Sequence, residues 1–277
     1  MPSIHENRAY WDNDGYNWKY EGEEWSHAWG GSKRQWENGI FPRIKQYDLS
    51  GTILEIAPGY GRWSHYLQSL SDKYIGIDIS KSCITACKKR FKDYEHMSFF
   101  HNDGKSLDSV PNESVDFIFS YDSLVHVESD VMNAYLSEIA LKLKPDGVAF
   151  LHHSNLRDYL VYSKMRPNIE FFRGIFDYII RTTPLDNIWY QWRATSVSAK
   201  TVAKEAKKHG LQCINQELIT WSSKRALVDC MSTIVRNDSK LKKSNVIIKN
   251  RGFMTEAERS KKFAKFADEF AAKRKNS

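Results

Sequence analysis

The sequence lacks the usual features of membrane-spanning, secreted and disulfide-stabilised proteins. It has no apolar run of about eighteen residues, and its charged, aromatic N-terminus is unlike a signal peptide. Its four cysteines contain no Cys-x-x-Cys pair, which argues against a zinc site and against disulfides and favours reduced thiols in the core. We therefore expect a cytoplasmic protein, and 277 residues predict one large α/β domain with appendages.

Although glycine is sparse, two glycines mark the most informative turn of the chain. An apolar strand at 52–56 leads into Pro58-Gly59-Tyr60-Gly61, a helix follows, and a second strand ends at Asp78. Glycine permits a sharp strand-to-helix turn and a close approach of backbone to ligand, and the acid can accept both hydroxyls of a ribose. The pattern predicts a nucleoside-binding βαβ unit, and Gly59-x-Gly61-x-x-Ser64 leaves a nicotinamide cofactor open at this point.

Two further strands downstream also end in acids. Residues 97–103 predict a third strand that ends on Asp103, and residues 114–122 predict a fourth, almost wholly apolar strand that ends on Asp122. A helix over 198–209, closed by a glycine, precedes two more strands. These strands, over 211–221 and 226–236, are joined by a short polar turn and predict a hairpin.

In these motifs the chain resembles the class I S-adenosylmethionine-dependent methyltransferases over residues 50–236. Residues 55–61 are similar to the family's glycine-rich first motif, except that Ala57 and Pro58 stand where a Gly-x pair is usual. Residues 116–122 resemble the fourth motif. The resemblance implies an α/β fold with a Rossmann-like, doubly wound sheet of seven mostly parallel strands, the last one antiparallel. It also implies S-adenosyl-L-methionine as the cofactor and S-adenosyl-L-homocysteine as the product.

The same resemblance implies which side chains bind the cofactor. Asp78 matches the ribose-binding acid, and Asn102 with Asp103 matches the position at the adenine edge. Arg62 and Arg43 are candidates for the cofactor's carboxylate, and no group of side chains has a recognised metal-ligand spacing. The full set expected to bind the cofactor is Trp29, Trp36, Arg43, Glu55, Ala57, Gly59, Gly61, Arg62, Asp78, Ile79, Asn102, Asp103, Gly104 and Tyr121.

Three segments outside this core are expected to determine the acceptor. Residues 1–49 form an aromatic cap, in which Trp29-Gly30-Gly31-Ser32 is expected to line the methionine end of the cofactor. Residues 154–195 are a helical insertion expected to overhang the ligand-binding edge of the sheet as a substrate lid. Residues 237–277 are a basic extension with a helix, expected to pack on the domain or a twin subunit, with an anionic membrane face as the alternative. The residues expected to contact the acceptor are His152, Asn155, Trp192 and Arg193.

Methyl transfer to a hydroxyl requires the removal of a proton, so a base is expected near the methyl group. The candidates at the ends of strands four and five are Asp122, His126, His152 and His153. Because neighbours on a strand point to opposite faces, only one of His152 and His153 can readily face the acceptor. His153, which is nearer the strand end, is the expected base, with His126 and Asp122 as further catalytic candidates.

Missing motifs narrow the acceptor class. The chain has neither the Asp/Asn-Pro-Pro-Tyr/Phe signature of amino-methylating nucleic-acid enzymes nor the Pro-Cys pair of cytosine C5 chemistry, and it lacks the paired-glutamate loop of arginine methyltransferases. Three short motifs outside the core are Trp29-Gly30-Gly31-Ser32 ahead of it, His152-His153-Ser154-Asn155 after strand five, and Trp192-Arg193-Ala194 at the end of the insertion. With these motifs the layout is similar to that of bacterial methyltransferases associated with surface polysaccharides and sugars. This similarity implies O-methylation of a sugar, nucleotide sugar or glycan. The alternatives are another small molecule, a phosphate group, RNA, or a non-catalytic cofactor-binding scaffold.

Overall fold

A computed structural model of the protein describes residues 3–12, 16–159, 193–221 and 226–275. These residues build one eight-stranded sheet with the strand order β3-β2-β1-β4-β5-β7-β6-β8. The strands are β1 Thr52–Ile56, β2 Lys73–Asp78, β3 Met97–His101, β4 Val115–Ser120, β5 Leu143–Ser154, β6 Leu211–Ile219, β7 Asp229–Arg236 and β8 Val246–Asn250.

Helices surround this sheet, and their ends follow local capping rules. The Ser80 hydroxyl accepts the N–H of Cys83 at the start of one helix, and Gly210 follows another with a φ of 75°. No helix in the described ranges is long and apolar enough to cross a bilayer. The helices are α1 Ile4–Trp11, α2 Ser32–Gln35, α3 Phe41–Ile44, α4 Ser64–Leu67, α5 Lys81–Arg90, α6 Ser129–Lys142, α7 Ala199–Lys208 and α8 Phe253–Lys275.

The sheet topology confirms the predicted Rossmann-like fold. Strands β1 to β5 pair in parallel, whereas β7 runs antiparallel to both β5 and β6. The predicted count of seven strands is one short, because β8 pairs in parallel with β6. The sequence of β8, Val246–Asn250, is a short apolar run inside the lysine-rich extension, where only a helix is predicted.

Alternating side chains divide the core between the two faces of the sheet. On β1 and β4, Ile53 and Phe117 belong to the apolar cluster that includes the buried cap residue Trp29. Their chain neighbours Leu54 and Ile118 belong to the opposite cluster. Because both faces are covered in this way, a ligand has access to the sheet at its carboxyl edge rather than on a face. The four cysteines are buried free thiols.

The predicted helical insertion falls largely outside the described residues. Only its ends, 154–159 and 193–195, belong to the ranges given above. Trp192, one of the residues expected to contact the acceptor, lies outside them.

Candidate active site

A cavity of about 490 Å³ opens at the carboxyl ends of β1, β2 and β4. Small-molecule sites typically span roughly 300–1,000 Å³, so this cavity is large enough for a ligand. Residues from the ends of all three strands line it, and α1 contributes part of its wall. Of the residues predicted to be functional, the cavity brings together Ala57, Gly59, Arg62, Asp78, Ile79, Gly104, Tyr121, Asp122 and His126.

The turn after β1 has left-handed backbone at three positions. The φ angles are 59° at Ala57, 58° at Gly59 and 84° at Gly61. A Cβ at Gly61 would lie 2.5 Å from the ring of Phe91, and one at Gly59 would lie 2.9 Å from the ring of Trp18. The two glycines therefore allow helix α5 and the aromatic cap to pack directly against the turn. Ala57 adopts the same conformation at the steric cost that an alanine bears there.

Asp78 ends β2 beside this turn and lines the cavity. Its Oδ2 accepts the Gly59 N–H at 3.0 Å, and its Oδ1 accepts the Ser80 N–H at 2.8 Å. Burial raises the pKa of Asp78 to about 6, and these backbone hydrogen bonds partly oppose the shift. Each carboxylate oxygen retains a second lone pair that can accept a ligand hydroxyl.

Glu55 lies beneath the turn and is not part of the cavity wall. Its Oε2 accepts the Ser64 hydroxyl at 2.7 Å and also accepts the Tyr74 hydroxyl. Burial raises the pKa of Glu55 to about 7, although both hydrogen bonds lower it. The side chain therefore supports β1 and α4 from inside the core, so its predicted contact with the cofactor would have to be indirect.

The N-terminal segment covers the cavity with aromatic rings. Trp11, Trp18 and Trp25 line it, and Trp18 stacks on Tyr60 with ring centroids 4.6 Å apart and an interplanar angle of 8°. Asp12 fixes this segment beside β2, because its Oδ1 accepts the Ser80 hydroxyl at 2.6 Å. The cap is thus attached to the same loop that positions Asp78.

Two other tryptophans of the cap, predicted to contact the cofactor, lie in the core instead. Trp29 is fully buried and packs edge-on against Phe253 of α8 at 5.4 Å. Trp36 stacks on Tyr66 at 5.2 Å. The expectation that Trp29-Gly30-Gly31-Ser32 lines the methionine end therefore has no support in this geometry, since the cap uses these residues to attach itself to α8 and the core.

A buried network of charged side chains begins at the cavity wall. Asp122, with a φ of 65°, accepts a hydrogen bond from Arg62 through Oδ2 at 2.6 Å. Its backbone N–H donates to His152 Nδ1 at 3.1 Å, and its Oδ1 lies 3.3 Å from the same nitrogen. His152 Nε2 lies 3.3 Å from Asp229 Oδ2, and Arg193 binds both oxygens of Asp229 through its Nε at 2.9 and 3.1 Å.

The charges within this network shift the pKa values of Asp122 and His152. Burial raises the pKa of Asp122, but Arg62 and His152 outweigh it and hold the pKa of that carboxyl below its usual range. For His152, burial lowers the pKa, but the carboxylates of Asp122 and Asp229 outweigh burial and the pKa of His152 is raised. Asp122 is therefore a carboxylate at neutral pH, at the edge of the cavity.

His153 lies on the other side of β5 from this network of charged side chains. Its Nε2 lies 2.8 Å from Ser232 Oγ and its Nδ1 lies 2.8 Å from the Ser154 carbonyl, so both ring nitrogens are engaged inside the sheet. Burial lowers its pKa to about 4. The alternation along β5 thus directs His152, rather than the predicted base His153, towards Asp122 and the cavity wall.

Some of the remaining residues predicted to bind the cofactor line the cavity, and others hold the loop beside it. Ile79 and Gly104 line the cavity. Asn102 and Asp103 instead shape the loop that carries Gly104: Asn102 Oδ1 accepts the Gly104 N–H at 3.1 Å, and Asp103 Oδ1 accepts the Lys105 N–H at 2.8 Å. These two side chains therefore position the loop at the end of β3.

Arg43 and Asn155 also have structural partners away from the cavity. Arg43 binds Glu217 on β6 through its Nε at 2.7 Å and lies 3.2 Å from Glu256 on α8, so it connects the cap to both elements. The Asn155 amide donates to the Leu227 carbonyl at 2.8 Å. Of the two arginines considered for the cofactor's carboxylate, only Arg62 lines the cavity.

Asp229 is not among the functional residues predicted from the sequence, and it is fully buried between His152 and Arg193. A signal was present, since Asp229 is the only acid in the apolar run from Ala226 to Met231. A buried acid in a strand is rarely found without a charged partner. The partner, however, lies on a different segment of the chain and cannot be identified from spacing.

Comparisons with known proteins agree with this architecture. Residues 53–147 match the family model of the methyltransferase domain. Phthiotriol/phenolphthiotriol dimycocerosates methyltransferase of Mycobacterium tuberculosis is 27% identical over 143 residues, which are 50% of this chain and 47% of that protein. The chain thus spans about half the length of the curated relatives it matches.

Solved structures share the fold at low sequence identity. The PH0226 protein from Pyrococcus horikoshii has a TM-score of 0.52 at 21% identity, with 74% of this chain and 90% of that chain covered. Phosphoethanolamine N-methyltransferase 2 of Haemonchus contortus, solved with S-adenosyl-L-methionine, has a TM-score of 0.52 at 18% identity, with 76% and 45% covered. The family match and the fold agree with S-adenosylmethionine as the predicted cofactor. Over residues 53–147 the chain is therefore similar to a methyltransferase domain, and its sheet has the Rossmann-like fold that these solved structures share.

Proposed function

We propose that this protein is an S-adenosylmethionine-dependent O-methyltransferase that acts on a hydroxyl of a sugar, a cell-surface glycan or its precursor. The observation that carries the proposal is that a single cavity joins a nucleoside-type cradle to an ionised carboxylate beneath an aromatic cap. Gly59 and Asp78 form the cradle, and Asp122 is the carboxylate.

The residues present fit the cofactor. Asp78 would accept the ribose hydroxyls, because it lines the cavity and each of its oxygens, which already accepts one backbone N–H, keeps a second lone pair. Ile79 and Gly104 would flank the base, and Arg62, which already binds Asp122, is the arginine of the wall that would also meet the cofactor's carboxylate. When bound, S-adenosylmethionine supplies an electrophilic methyl group on a sulfonium. Everything else that the reaction requires must come from the chain.

Asp122 is the group we assign to the acceptor hydroxyl. It can accept the hydroxyl's hydrogen bond, orient the oxygen and take its proton as the new bond to carbon forms. His152 acts as a positioning residue, because its Nδ1 accepts the Asp122 N–H while Asp229 faces its Nε2. His126 lines the cavity with its ring centroid 5.7 Å from that of Trp11, and it is the second candidate for the proton.

The aromatic wall favours a sugar ring as the acceptor. Trp11, Trp18 and Trp25 line the cavity, and Trp25 is 42% exposed, so its ring can stack on a bound ring from solution. The segment 154–195 is the further part that we assign to the acceptor. Arg193, at its end, is fixed to β7 by Asp229.

A second acceptor class is favoured by the same wall and by the relatives. The cavity is lined largely by apolar and aromatic side chains, and the curated mycobacterial relatives are named for phthiotriol and phenolphthiotriol dimycocerosates. A hydroxyl on a large apolar acceptor is therefore the alternative to a sugar hydroxyl.

A labelled-methyl transfer screen tests the proposal. The panel contains nucleotide sugars, oligosaccharides, hydroxylated lipids and RNA, with S-adenosyl-L-homocysteine binding measured in parallel. Transfer to a sugar hydroxyl supports the first choice, and transfer to a lipid hydroxyl supports the second. Transfer to RNA alone would contradict both, and binding of the cofactor without any transfer would indicate a scaffold.

Variants then assign the roles. We expect Asp122→Asn to lower kcat by about 100-fold or more, in the range typical of general base catalysis. His152→Gln should lower kcat with little change in KM, because it acts through Asp122. If His153→Gln abolishes transfer by a folded protein while Asp122→Asn retains it, the base is His153 and the present assignment fails.

A further inference from the structure

Among the side chains that the structure describes, exposed apolar ones are concentrated in one segment. Tyr20, Trp25, Tyr94, Phe100 and Leu141 are spread over the remainder of the described chain. The segment 237–266 alone contains six large apolar side chains that are at least 40% exposed. They are Leu241, Val246, Ile247, Ile248, Phe263 and Phe266.

Helix α8 has two distinct faces in its described side chains. Phe253 and Ala257 are fully buried, and on the next turn Ser260 contacts Asn38 of the cap. At 100° per residue, Arg259, Lys262 and Phe266 lie opposite Ala257, and Phe263 lies at the edge of that face, about 60° away. Phe263 is 74% exposed and Phe266 is 69% exposed, so two aromatic rings project from the outer face of a helix whose inner face is already packed.

Strand β8 presents a similar combination at the edge of the sheet. One edge of β8 pairs with β6, and successive side chains Val246, Ile247 and Ile248 are 52%, 55% and 45% exposed. Since neighbours on a strand point to opposite sides, neither side of β8 is fully covered within the described residues. Lys243 precedes this apolar run and Lys249 follows it.

The segment that carries these apolar groups is also strongly basic. Residues 237–266 contain nine lysines and arginines against three acidic residues, an excess of six positive charges in a chain of net charge +7. On α8 the two exposed phenylalanines are flanked by Arg259 and Lys262. Aromatic rings projecting between cationic side chains are the combination that inserts into the interface of an anionic bilayer.

We propose that residues 237–266 dock the protein on the surface of an anionic phospholipid membrane, with Phe263 and Phe266 inserted between headgroups and the basic side chains on the lipid phosphates. A second copy of the chain fits this surface less well. A two-fold contact would place the same basic patch against itself, so like charges would face each other. The docked surface goes beyond the methyl-transfer activity proposed above and does not depend on it.

Vesicle flotation without any methyl donor tests the proposal. We expect the protein to float with phosphatidylcholine vesicles that contain phosphatidylglycerol, and not with pure phosphatidylcholine. Binding should weaken as the salt concentration rises, because salt screens the attraction between the lysines and arginines and the lipid phosphates. The double variant Phe263→Ser/Phe266→Ser should bind about tenfold or more weakly. Arg259→Glu/Lys262→Glu should lose about fivefold or more per residue.

Phe100→Ser/Leu141→Ser is the matched control, since it removes two exposed apolar side chains elsewhere on the surface. It should float like the unaltered protein, and thermal melting should show that all variants are folded. The proposal is overturned if the unaltered protein ignores phosphatidylglycerol, or if the control and the phenylalanine variant behave alike. A dimer that dissociates only in Phe263→Ser/Phe266→Ser, without lipid binding, would assign the surface to a second copy instead.

Discussion

Replacing Glu55 by glutamine should change how stability depends on pH. Glu55 is 1% exposed, and burial raises its pKa to about 7 from 4.5, with Ser64 and Tyr74 donating to it. A folded-state pKa above the unfolded value means that stability is fully present below pH 4.5 and is lost as pH rises through 7. Linkage over these two values makes the Glu55 contribution about 2.5 kcal/mol less favourable at pH 8 than at pH 5.

Urea unfolding at pH 5 and pH 8 measures this difference. Glutamine retains a carbonyl acceptor for Ser64 and Tyr74 but has no charge to bury. The free energy of unfolding should therefore fall between the two pH values by about 2.5 kcal/mol more in the unaltered protein than in Glu55→Gln. Titrating groups that do not interact with Glu55 cancel in this comparison. The exposed Glu95→Gln is the control and should keep the full pH dependence. Equal pH dependence in Glu55→Gln and the unaltered protein would refute the reasoning.

Two other substitutions test the backbone and the buried charges by urea unfolding. Ala57→Gly should raise the free energy of unfolding by about 0.5–1 kcal/mol, because it relieves a left-handed alanine while adding freedom to the unfolded chain; a loss of more than about 1 kcal/mol would contradict this. Asp229→Asn should lower the free energy of unfolding by about 3–5 kcal/mol, because Arg193 would be left buried without its counter-charge. A change of less than about 1 kcal/mol would show that the pair is not needed.

The cradle and the sheet could be predicted because their signals are local. Gly59, Gly61 and Asp78 lie within one βαβ unit, where strand, turn and acid follow each other along the chain. The β6–β7 hairpin is local for the same reason. Chain connectivity then restricts the order of the strands to a few arrangements.

Which of the two histidines on β5 faces Asp122 could not be predicted in the same way. His152 and His153 are adjacent, and only the pairing of β5 with β7 decides which ring meets Asp122 and which meets Ser232. The burial of Trp29 could not be predicted for a related reason, since it depends on a contact with Phe253, more than two hundred residues away along the chain.

The central claim is that S-adenosylmethionine binds in the cavity bounded by Gly59, Asp78 and the aromatic cap, and calorimetric titration with S-adenosyl-L-homocysteine tests it most directly. Asp78→Asn removes the charge but keeps an acceptor for the Gly59 N–H, and the exposed Asp72→Asn is the matched control. We expect one molecule to bind the unaltered protein and the control alike, and Asp78→Asn to bind about tenfold or more weakly. No binding to the unaltered protein, or equal binding to Asp78→Asn, would contradict the account.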